Sequence, residues 1–240
     1  LTVAFDADGK PSRATQAFAD SCGVPVENLG RVETPKGAWL HYSAEVPGQP
    51  ASELLPGLVK AALAALPIPR RMRWGDGDTE FVRPAHWVVM LLDTEIVPGT
   101  ILGLTPSRHT RGHRFHAPGP IELRSAADYS SVLAANSVIA DFAERRERVK
   151  ELAEAAATGV GGQAMIEAEL LDEVTALVEW PVALTGCFDA AFLRLPEEVL
   201  IATLQGHQRY FPVRDSAGQL LPNFIATANI ESRDPTQIRQ

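Results

Sequence analysis

The sequence has few cysteines and no long run of apolar residues. Its two cysteines, Cys22 and Cys187, are too few for a disulfide framework and lack the spacing of metal ligands. This usage favours a reducing cytosol over secretion, and it leaves open whether the two thiols pair. The longest apolar candidate, residues 87–92, is interrupted by Asp93 and is far shorter than the ~20 residues that span a bilayer. We therefore expect a cytoplasmic protein with no membrane partner.

Positive charge is scarce as well. The 240 residues contain 22 lysines and arginines against 30 aspartates and glutamates, which gives a formal net charge of -8. A chain with this balance does not bind nucleic acid over its whole surface, so an RNA contact requires a local basic patch. With 45% hydrophobic residues, the chain has enough apolar material for one large or two small cores.

The sequence motifs of catalysis and nucleotide binding are missing. Cys187 has no adjacent base, and neither a Gly-x-Ser-x-Gly nucleophile elbow nor a phosphate-binding loop with its lysine occurs. A strand-linked Gly-x-Gly-x-x-Gly motif for dinucleotides does not occur either. We therefore assign no catalytic residue and expect any ATP chemistry to lie elsewhere.

Both ends of the sequence lack the features of a complete chain. It begins with Leu1 instead of a methionine, and residues 234–240 provide no closing helix or strand. No charged stretch leads into an apolar segment, so a signal peptide is not indicated. These features predict an internal fragment of a longer chain.

Hairpin-like pairs that alternate with helices predict an α+β fold, with layered mixed or antiparallel sheets and flanking helices. Near the start, Ser12 is expected to cap a helix that stops at Gly23. A turn at residues 34–37 then separates two strands, the second over residues 39–46. The pair Asp6 and Asp8 suggests a calcium loop, but the further ligands of an EF-hand are missing, which indicates a plain turn.

Apolar residues at helical spacing predict a helix over residues 54–66, with Pro56 in its first turn and Pro67 at its end. Residues 81–92 and 95–104 are rich in β-branched and aromatic side chains. We expect them to form two paired strands in the middle of a sheet, joined by the short turn between them.

The second half of the chain is predicted to be mostly helical before a final hairpin. Helices are expected over residues 129–157 and 166–177. Another helix begins at Pro196, a favourable first residue, and ends with Gly206 as its cap. The hairpin covers residues 209–230.

The first of two basic clusters surrounds Met72. Arg70, Arg71 and Arg73 lie beside Trp74 in a segment stiffened by prolines. They are candidates for RNA contact, and the alternative is a solvated edge held by local carboxylates.

The second basic cluster interleaves arginines with histidines. Its members are Arg108, His109, Arg111, His113, Arg114 and His116. The histidines are spaced four and three apart, which on a helix would suit zinc, but Gly112 and Pro118-Gly119-Pro120 favour a loop or strand. Because the arginines would also repel a divalent cation, we predict no metal site. Arginine forks beside glycine suit phosphate recognition, so the candidate RNA contacts here are Arg108, Arg111, His113 and Arg114.

Residues 206–213 form a dense polar and aromatic block where a helix is predicted to lead into a strand. His207, Gln208 and Arg209 either line a pocket or cap the preceding helix, whose C-terminus attracts cations. Burial in the core is expected for Tyr210, Phe211, Trp74, Trp87, Trp180 and His86.

The basic clusters and this block belong to an ordered series of motifs that runs the length of the chain. The series comprises residues 66–75, 81–87, 111–115, 178–181, 192–196, 206–213, 221–224 and 228–232. It resembles the β subunit of the bacterial, tetrameric glycyl-tRNA synthetase. The resemblance implies a part in the ATP-dependent attachment of glycine to tRNA(Gly). It also implies an α2β2 heterotetramer in which the class II α subunit forms glycyl-adenylate with ATP and magnesium, while the β subunit mainly engages tRNA.

The resemblance further implies a fold similar to the B3/B4 domain of the phenylalanyl-tRNA synthetase β subunit, which is used there for editing. Residues 1–240 would then form a single B3/B4-like domain, with residues 1–50 as an alternative small lead-in subdomain. We expect no cofactor in this region itself.

Three roles for the region remain open. It positions tRNA through its arginines, or it holds an editing-type deacylase pocket near His207 and Gln208, or it is a structural module between other parts of the subunit. Glycine is the smallest amino acid, so a site can reject larger side chains by steric exclusion alone. We therefore favour RNA positioning and scaffolding over editing.

Overall fold

The computed structural model describes residues 4–6 and 8–232. The predictions that concern residues 1–3 and 234–240 lie outside these residues. The chain forms two compact units, Leu1–Pro50 and Ala51–Gln240.

The first unit contains one helix and one hairpin. Helix α1, Arg13–Cys22, begins at Ser12, whose hydroxyl accepts a hydrogen bond from the Thr15 amide, and it ends at Gly23 with φ of 68°. This helix and both of its caps confirm the sequence prediction. The Asp6 carboxylate accepts hydrogen bonds from the amides of Asp8 and Lys10, as in a plain turn.

The hairpin of the first unit is also as predicted, although shorter. Strand β1, Gly30–Thr34, pairs antiparallel with β2, Gly37–His41. The predicted second strand extended to residue 46, but residues 42–46 lie outside the ladder. A short 3₁₀ turn, Val26–Asn28, precedes the hairpin.

The second unit opens with helix α2, Ala51–Ala65. Pro56 is the sixth residue of this helix, so the prediction that it lies in the first turn is wrong. Leu55, Val59 and Leu63 pack against a small buried cluster formed by Met90, Val97 and Ile101. The apolar face of α2 therefore covers a local core, as its periodicity indicated.

Three two-stranded hairpins follow in place of a continuous sheet. Strand β3, Met72–Arg73, pairs with β4, Glu80–Phe81; β5, Leu91–Leu92, pairs with β6, Glu95–Ile96; and β7, His109–Arg111, pairs with β8, Pro120–Glu122. The prediction of long strands over residues 81–92 and 95–104 in the middle of a sheet is wrong. Pro84, Pro98 and Gly99 interrupt these segments, because proline cannot donate to a ladder and glycine weakens a strand.

Four helices follow β8 in this unit among the residues described. They are α3, Tyr129–Ala135; α4, Phe142–Thr158; α5, Ala168–Leu177; and α6, Glu197–Ala202. The single helix predicted over residues 129–157 is divided in two. Ser137 adopts a positive φ of 57°, and α4 starts afresh at Asp141, whose carboxylate accepts from the Glu144 amide at 2.8 Å.

Helix α6 continues into a wider turn, Thr203–His207. Gly206 lies inside that turn, so the prediction that Gly206 caps the helix is wrong. The first residue after the helical segment with a positive φ is Arg209, at 59°.

The main core lies between helices and a four-stranded antiparallel sheet. The strands are β9, Gln163–Ala164; β10, Val182–Cys187; β11, Phe211–Arg214; and β12, Leu220–Ala228, in the order β10-β12-β11-β9. Val149 of α4 and Val174 of α5 pack against Phe211 and Ile225, and all four are buried. The architecture confirms the α+β prediction and the final hairpin, and the B3/B4-like arrangement stays a prediction.

The described residues contain no disulfide and no membrane-spanning helix. Cys22 and Cys187 are both free thiols. In the part of the chain that the structure describes, no helix has the combined length and apolar character that crossing a membrane requires.

Candidate functional site

A cleft of about 1000 Å³ lies in the second unit, beside the β7–β8 hairpin. Most of residues 107–120 form one wall, the end of α5 with residues 176–179 forms another, and Asn229 and Ile230 lie after β12. His86 and Trp87 complete the lining. The cleft thus collects side chains from four separate parts of the sequence.

His113 anchors the loop that carries most of the cleft wall. Its side chain is 1% exposed, and its Nε2 lies 2.6 Å from the carbonyl oxygen of Asn229. The amides of Phe115 and His116 both donate to its Nδ1 at 3.3 Å. Because Nδ1 accepts, the proton lies on Nε2, which donates to the Asn229 carbonyl. Both ring nitrogens are therefore occupied by the fold.

Asn229 connects this loop to the end of helix α5. Its side-chain oxygen accepts from the amides of Glu179 and Trp180, at 2.7 and 3.0 Å. The carbonyl of Glu179 in turn accepts from the Ile139 amide at 2.9 Å. Two backbone N–H groups that follow α5 thus share one acceptor. These hydrogen bonds hold the cleft wall at residues 176–179 in place.

A second set of hydrogen bonds runs parallel to the first. The rings of His113 and His116 are stacked with centroids 4.6 Å apart, and the Glu231 amide donates to His116 Nε2 at 3.1 Å. The indole N–H of Trp180 donates to the Glu231 carboxylate at 3.0 Å. These contacts join the same three segments once more, so the loop is held at two points.

Gly112 permits the close packing of this loop against the end of α3. A Cβ at residue 112 would lie 2.7 Å from both the Cβ and the carbonyl oxygen of Asn136. That carbonyl accepts from the His113 amide at 3.0 Å. Glycine is therefore required by the close approach of the two backbones.

Arg111 and Trp87 form the cationic and aromatic side of the cleft. The guanidinium carbon of Arg111 lies 5.7 Å from the centroid of the Trp87 ring, which is within the range of a cation–π contact. Trp87 is 46% exposed, so part of its ring faces the solvent. The predicted burial of Trp87 is wrong, because residues 84–88 lie outside any strand and border the cleft instead.

Arg114 and Phe115 project from the anchored loop. Arg114 is exposed, and it makes no hydrogen bond or ion pair with any residue that the structure describes. Phe115 is 69% exposed, one of the largest values among the big apolar side chains. An apolar ring and an unpaired cation are thus presented side by side on a fixed backbone.

The other residues of the second basic cluster differ from Arg111 and Arg114 in their burial or contacts. His113 is buried, so its side chain has no surface to offer and it leaves the set of RNA-contact candidates. Arg108 is half-buried and donates to the carbonyls of Thr94 and Leu123. His109 and His86 are exposed and line the cleft, so the prediction that His86 is a core residue is wrong.

The first basic cluster does not line the cleft. Arg71 donates to the carbonyl of Ala64 at 3.0 Å, at the end of α2, and Arg73 forms ion pairs with Asp78 and Glu80. Arg73 therefore fits the alternative of an edge held by local carboxylates, whereas Arg71 contacts backbone carbonyls. Arg70 is exposed.

The block at residues 207–209 lies outside the cleft. His207 and Gln208 are exposed. Arg209 donates to the carbonyl of Gly206 and forms an ion pair with Glu173 at 2.6 Å. Residues 207–209 were predicted either to line a pocket or to cap the preceding helix, and the contacts of Arg209 fit the cap.

The aromatic residues that were predicted to lie in the core differ in how deeply they are buried. Phe211 is fully buried, which confirms its prediction, whereas Tyr210 is half-buried and stacks on Phe224 with centroids 4.6 Å apart. Trp74 and Trp180 are half-buried as well. The indole of Trp180 meets the carboxylate of Glu231 instead of an apolar core.

The described residues contain no cluster of three or more His, Cys, Asp or Glu side chains that could hold a metal ion. Within the histidine-rich loop, His113 uses both ring nitrogens and His116 accepts a backbone hydrogen bond. Of the three histidines in this loop, His113 thus has no ring nitrogen left for a metal.

Sequence reasoning missed the roles of Asn229 and Glu231. The sequence feature that could have indicated these roles is their position: both are polar residues directly after an apolar strand, in the motif at residues 228–232. Three of those motifs, residues 111–115, 178–181 and 228–232, meet at the cleft through the hydrogen bonds described above.

Comparison with known proteins gives a consistent result over the whole chain. The family model of the glycyl-tRNA synthetase beta subunit matches residues 1–240. The glycine–tRNA ligase beta subunits of Serratia proteamaculans (strain 568) and Yersinia pestis (strain Pestoides F) are each 51% identical over 239 residues, which is 99% of the chain. The match covers 35% of each relative, so the chain spans about a third of their length.

Proposed function

Because the chain belongs to the glycyl-tRNA synthetase beta subunit family, we propose that its cleft contacts tRNA(Gly) and positions it in an assembled glycine–tRNA ligase. In this proposal the chain is one part of the β subunit, and two β subunits assemble with two α subunits. The α subunits carry the ATP- and magnesium-dependent attachment of glycine. This region contributes RNA contacts and no reacting group.

One observation carries the proposal: unpaired cationic side chains lie beside exposed aromatic rings along one cleft of an acidic protein. Arg111 and Arg114 supply two positive charges on an anchored backbone, and the one acidic side chain among the described residues of the lining is Glu179. Against a net charge of -8 for the chain, the excess of positive charge here is local. Guanidinium groups bind phosphate oxygens in a bidentate manner, and aromatic faces accept bases.

The arrangement of the loop supports positioning over catalysis. His113, the buried imidazole nearest the arginines, uses both ring nitrogens for backbone contacts and has none left to move a proton. His207 and Gln208, the candidates for a deacylase pocket, lie outside the cleft. His86, His109 and Glu179 also line the cleft, but among the described residues no hydrogen bond orients either of these two imidazoles, as a general base requires.

The test is a pair of double variants in the assembled enzyme. We expect R111A/R114A to weaken tRNA(Gly) binding about five- to tenfold, because two phosphate contacts are lost. In aminoacylation, the KM for tRNA rises while kcat and the KM for ATP stay unchanged, since the reacting site is elsewhere.

The matched control removes the same charge from another surface. Arg148 on α4 and Arg194 are both exposed and outside the cleft, so R148A/R194A leaves the tRNA affinity within about twofold of the wild type. Equal effects of the two double variants, or no effect of either, contradict the proposal.

A further inference from the structure

The loop beside the cleft holds an exposed aromatic ring in one position. The Phe115 amide donates to the buried His113 ring at 3.3 Å, and the His113 and Phe115 ring centroids are 6.1 Å apart at an interplanar angle of 53°. His113 is itself fixed to the Asn229 carbonyl. Phe115 therefore projects from an anchored backbone although 69% of it is exposed. Trp87, which is 46% exposed, lines the same cleft, so the cleft carries two exposed aromatic rings, a feature of ligand-binding surfaces.

The side chains around Phe115 indicate which class of ligand the cleft binds. Arg114 precedes it in the chain without a partner among the described residues, and Arg111 lies over the exposed ring of Trp87 across the same lining. Cations interleaved with aromatic rings bind a nucleic acid strand by phosphate contact and base stacking together.

The aromatic rings also distinguish unpaired RNA from duplex RNA. In a helix the base faces are stacked on one another, and only phosphates, 2′-hydroxyls and base edges are accessible. A ring such as Phe115 contacts a base face only when the nucleotide is unpaired and turned out of the stack. An arginine patch alone carries no such selectivity.

We propose that the cleft holds an unpaired nucleotide, with its base stacked on Phe115 and its phosphate bound by Arg114 and Arg111. This inference rests on the proposed tRNA contact and adds to it the class of ligand, a single-stranded RNA segment. The cleft of about 1000 Å³ lies in the range of pockets that take small ligands, and it has room for one nucleotide or more.

The probes that test this inference are two labelled RNAs with equal numbers of phosphates, a single-stranded oligoadenylate and a blunt-ended duplex. Binding is measured by fluorescence anisotropy on the full β subunit assembled with the α subunit. We expect F115L to weaken oligoadenylate binding about tenfold, which corresponds to the loss of one stacked base. Duplex binding stays unchanged, and F115Y binds oligoadenylate like the wild type because its ring also stacks.

A matched control uses an aromatic ring beside an arginine on another surface. Phe142 of α4 is 43% exposed, and the Arg145 guanidinium lies 5.5 Å from its ring centroid. F142L leaves both probes unaffected.

Two results overturn the inference: F115L binds oligoadenylate like the wild type, or F115L weakens both probes equally. If R111A/R114A still weakens tRNA(Gly) binding, only the nucleotide pocket fails and the proposed tRNA contact stands. If neither the arginine variant nor F115L changes RNA binding, both fail together.

Discussion

At the scale of single residues, the cleft depends on side chains whose hydrogen bonds hold its walls together. His113 was a candidate for RNA contact because it lies between arginines, yet it is buried and fixes the backbone that presents them. Asn229, which is 116 residues further along the chain, supplies its acceptor. The candidate cations and the residues that hold their backbone in place are therefore different residues, although they are neighbours in the sequence.

Asn229 provides the first prediction at this scale. We expect N229A to reduce the free energy of unfolding by about 1–3 kcal/mol, because the amides of Glu179 and Trp180 lose their acceptor. N229D keeps an oxygen at the same position and retains most of the stability. Urea unfolding followed by tryptophan fluorescence measures both. N223A, at a half-buried position of the preceding strand β12, is the control, and an equal loss there contradicts the role of Asn229.

Gly112 gives the second prediction. G112A introduces a Cβ within 2.7 Å of two atoms of Asn136, and we expect a loss of about 1–3 kcal/mol from overpacking, again by urea unfolding. The backbone shift also displaces Arg111 and Arg114, so tRNA affinity falls.

The control for Gly112 is G206A, where a Cβ would meet nothing within 4 Å. Because Gly206 lies within a helical turn, alanine is neutral there or stabilising by up to about 1 kcal/mol. If G112A is as stable as G206A, close backbone packing is not what residue 112 provides.

At the scale of secondary-structure elements, the sequence predicted correctly those elements that are determined by neighbouring residues, such as capped helices and hairpins. Helix α1 has its serine cap and its terminal glycine in adjacent sequence, and the final hairpin has its turn residues between two apolar runs. Residues 81–92 and 95–104 also have strand-like composition, but prolines and glycines within them restrict pairing to the two residues on each side of the turn. β-propensity describes a half-buried surface and does not by itself supply a partner strand.

The break between α3 and α4 yields a prediction at this scale. Composition favours helix throughout residues 129–157, and the division depends on the new N-cap at Asp141. We expect D141A to cost about 1 kcal/mol of unfolding free energy, since the Glu144 amide loses its acceptor. D141N keeps the side-chain acceptor and stays within about 0.5 kcal/mol of the wild type. Equal stability of D141A and D141N, measured by circular dichroism in urea, contradicts the cap.

At the scale of the whole molecule, the ordered motifs identified the family, whereas the cleft could not be predicted from them. Its lining extends from His86 to Ile230 in the sequence, and the hydrogen bonds between its walls join residues up to 116 positions apart. No periodicity or spacing in the sequence indicates that those segments meet. The arginines were found by composition alone, as a basic group in an acidic chain. Which of them are available depends on tertiary contacts: Arg71, Arg73 and Arg108 are engaged by carbonyls or carboxylates.

Salt dependence distinguishes phosphate contacts of Arg111 and Arg114 from other causes of weaker tRNA(Gly) binding. Affinity of the assembled enzyme is measured by filter binding over a range of salt concentrations, for the wild type and for R111A/R114A. Each phosphate contact contributes about 0.7 to 0.9 to the slope of log K against log salt, so the variant's slope is shallower by about 1.5. An unchanged slope contradicts the account, even if the affinity itself falls.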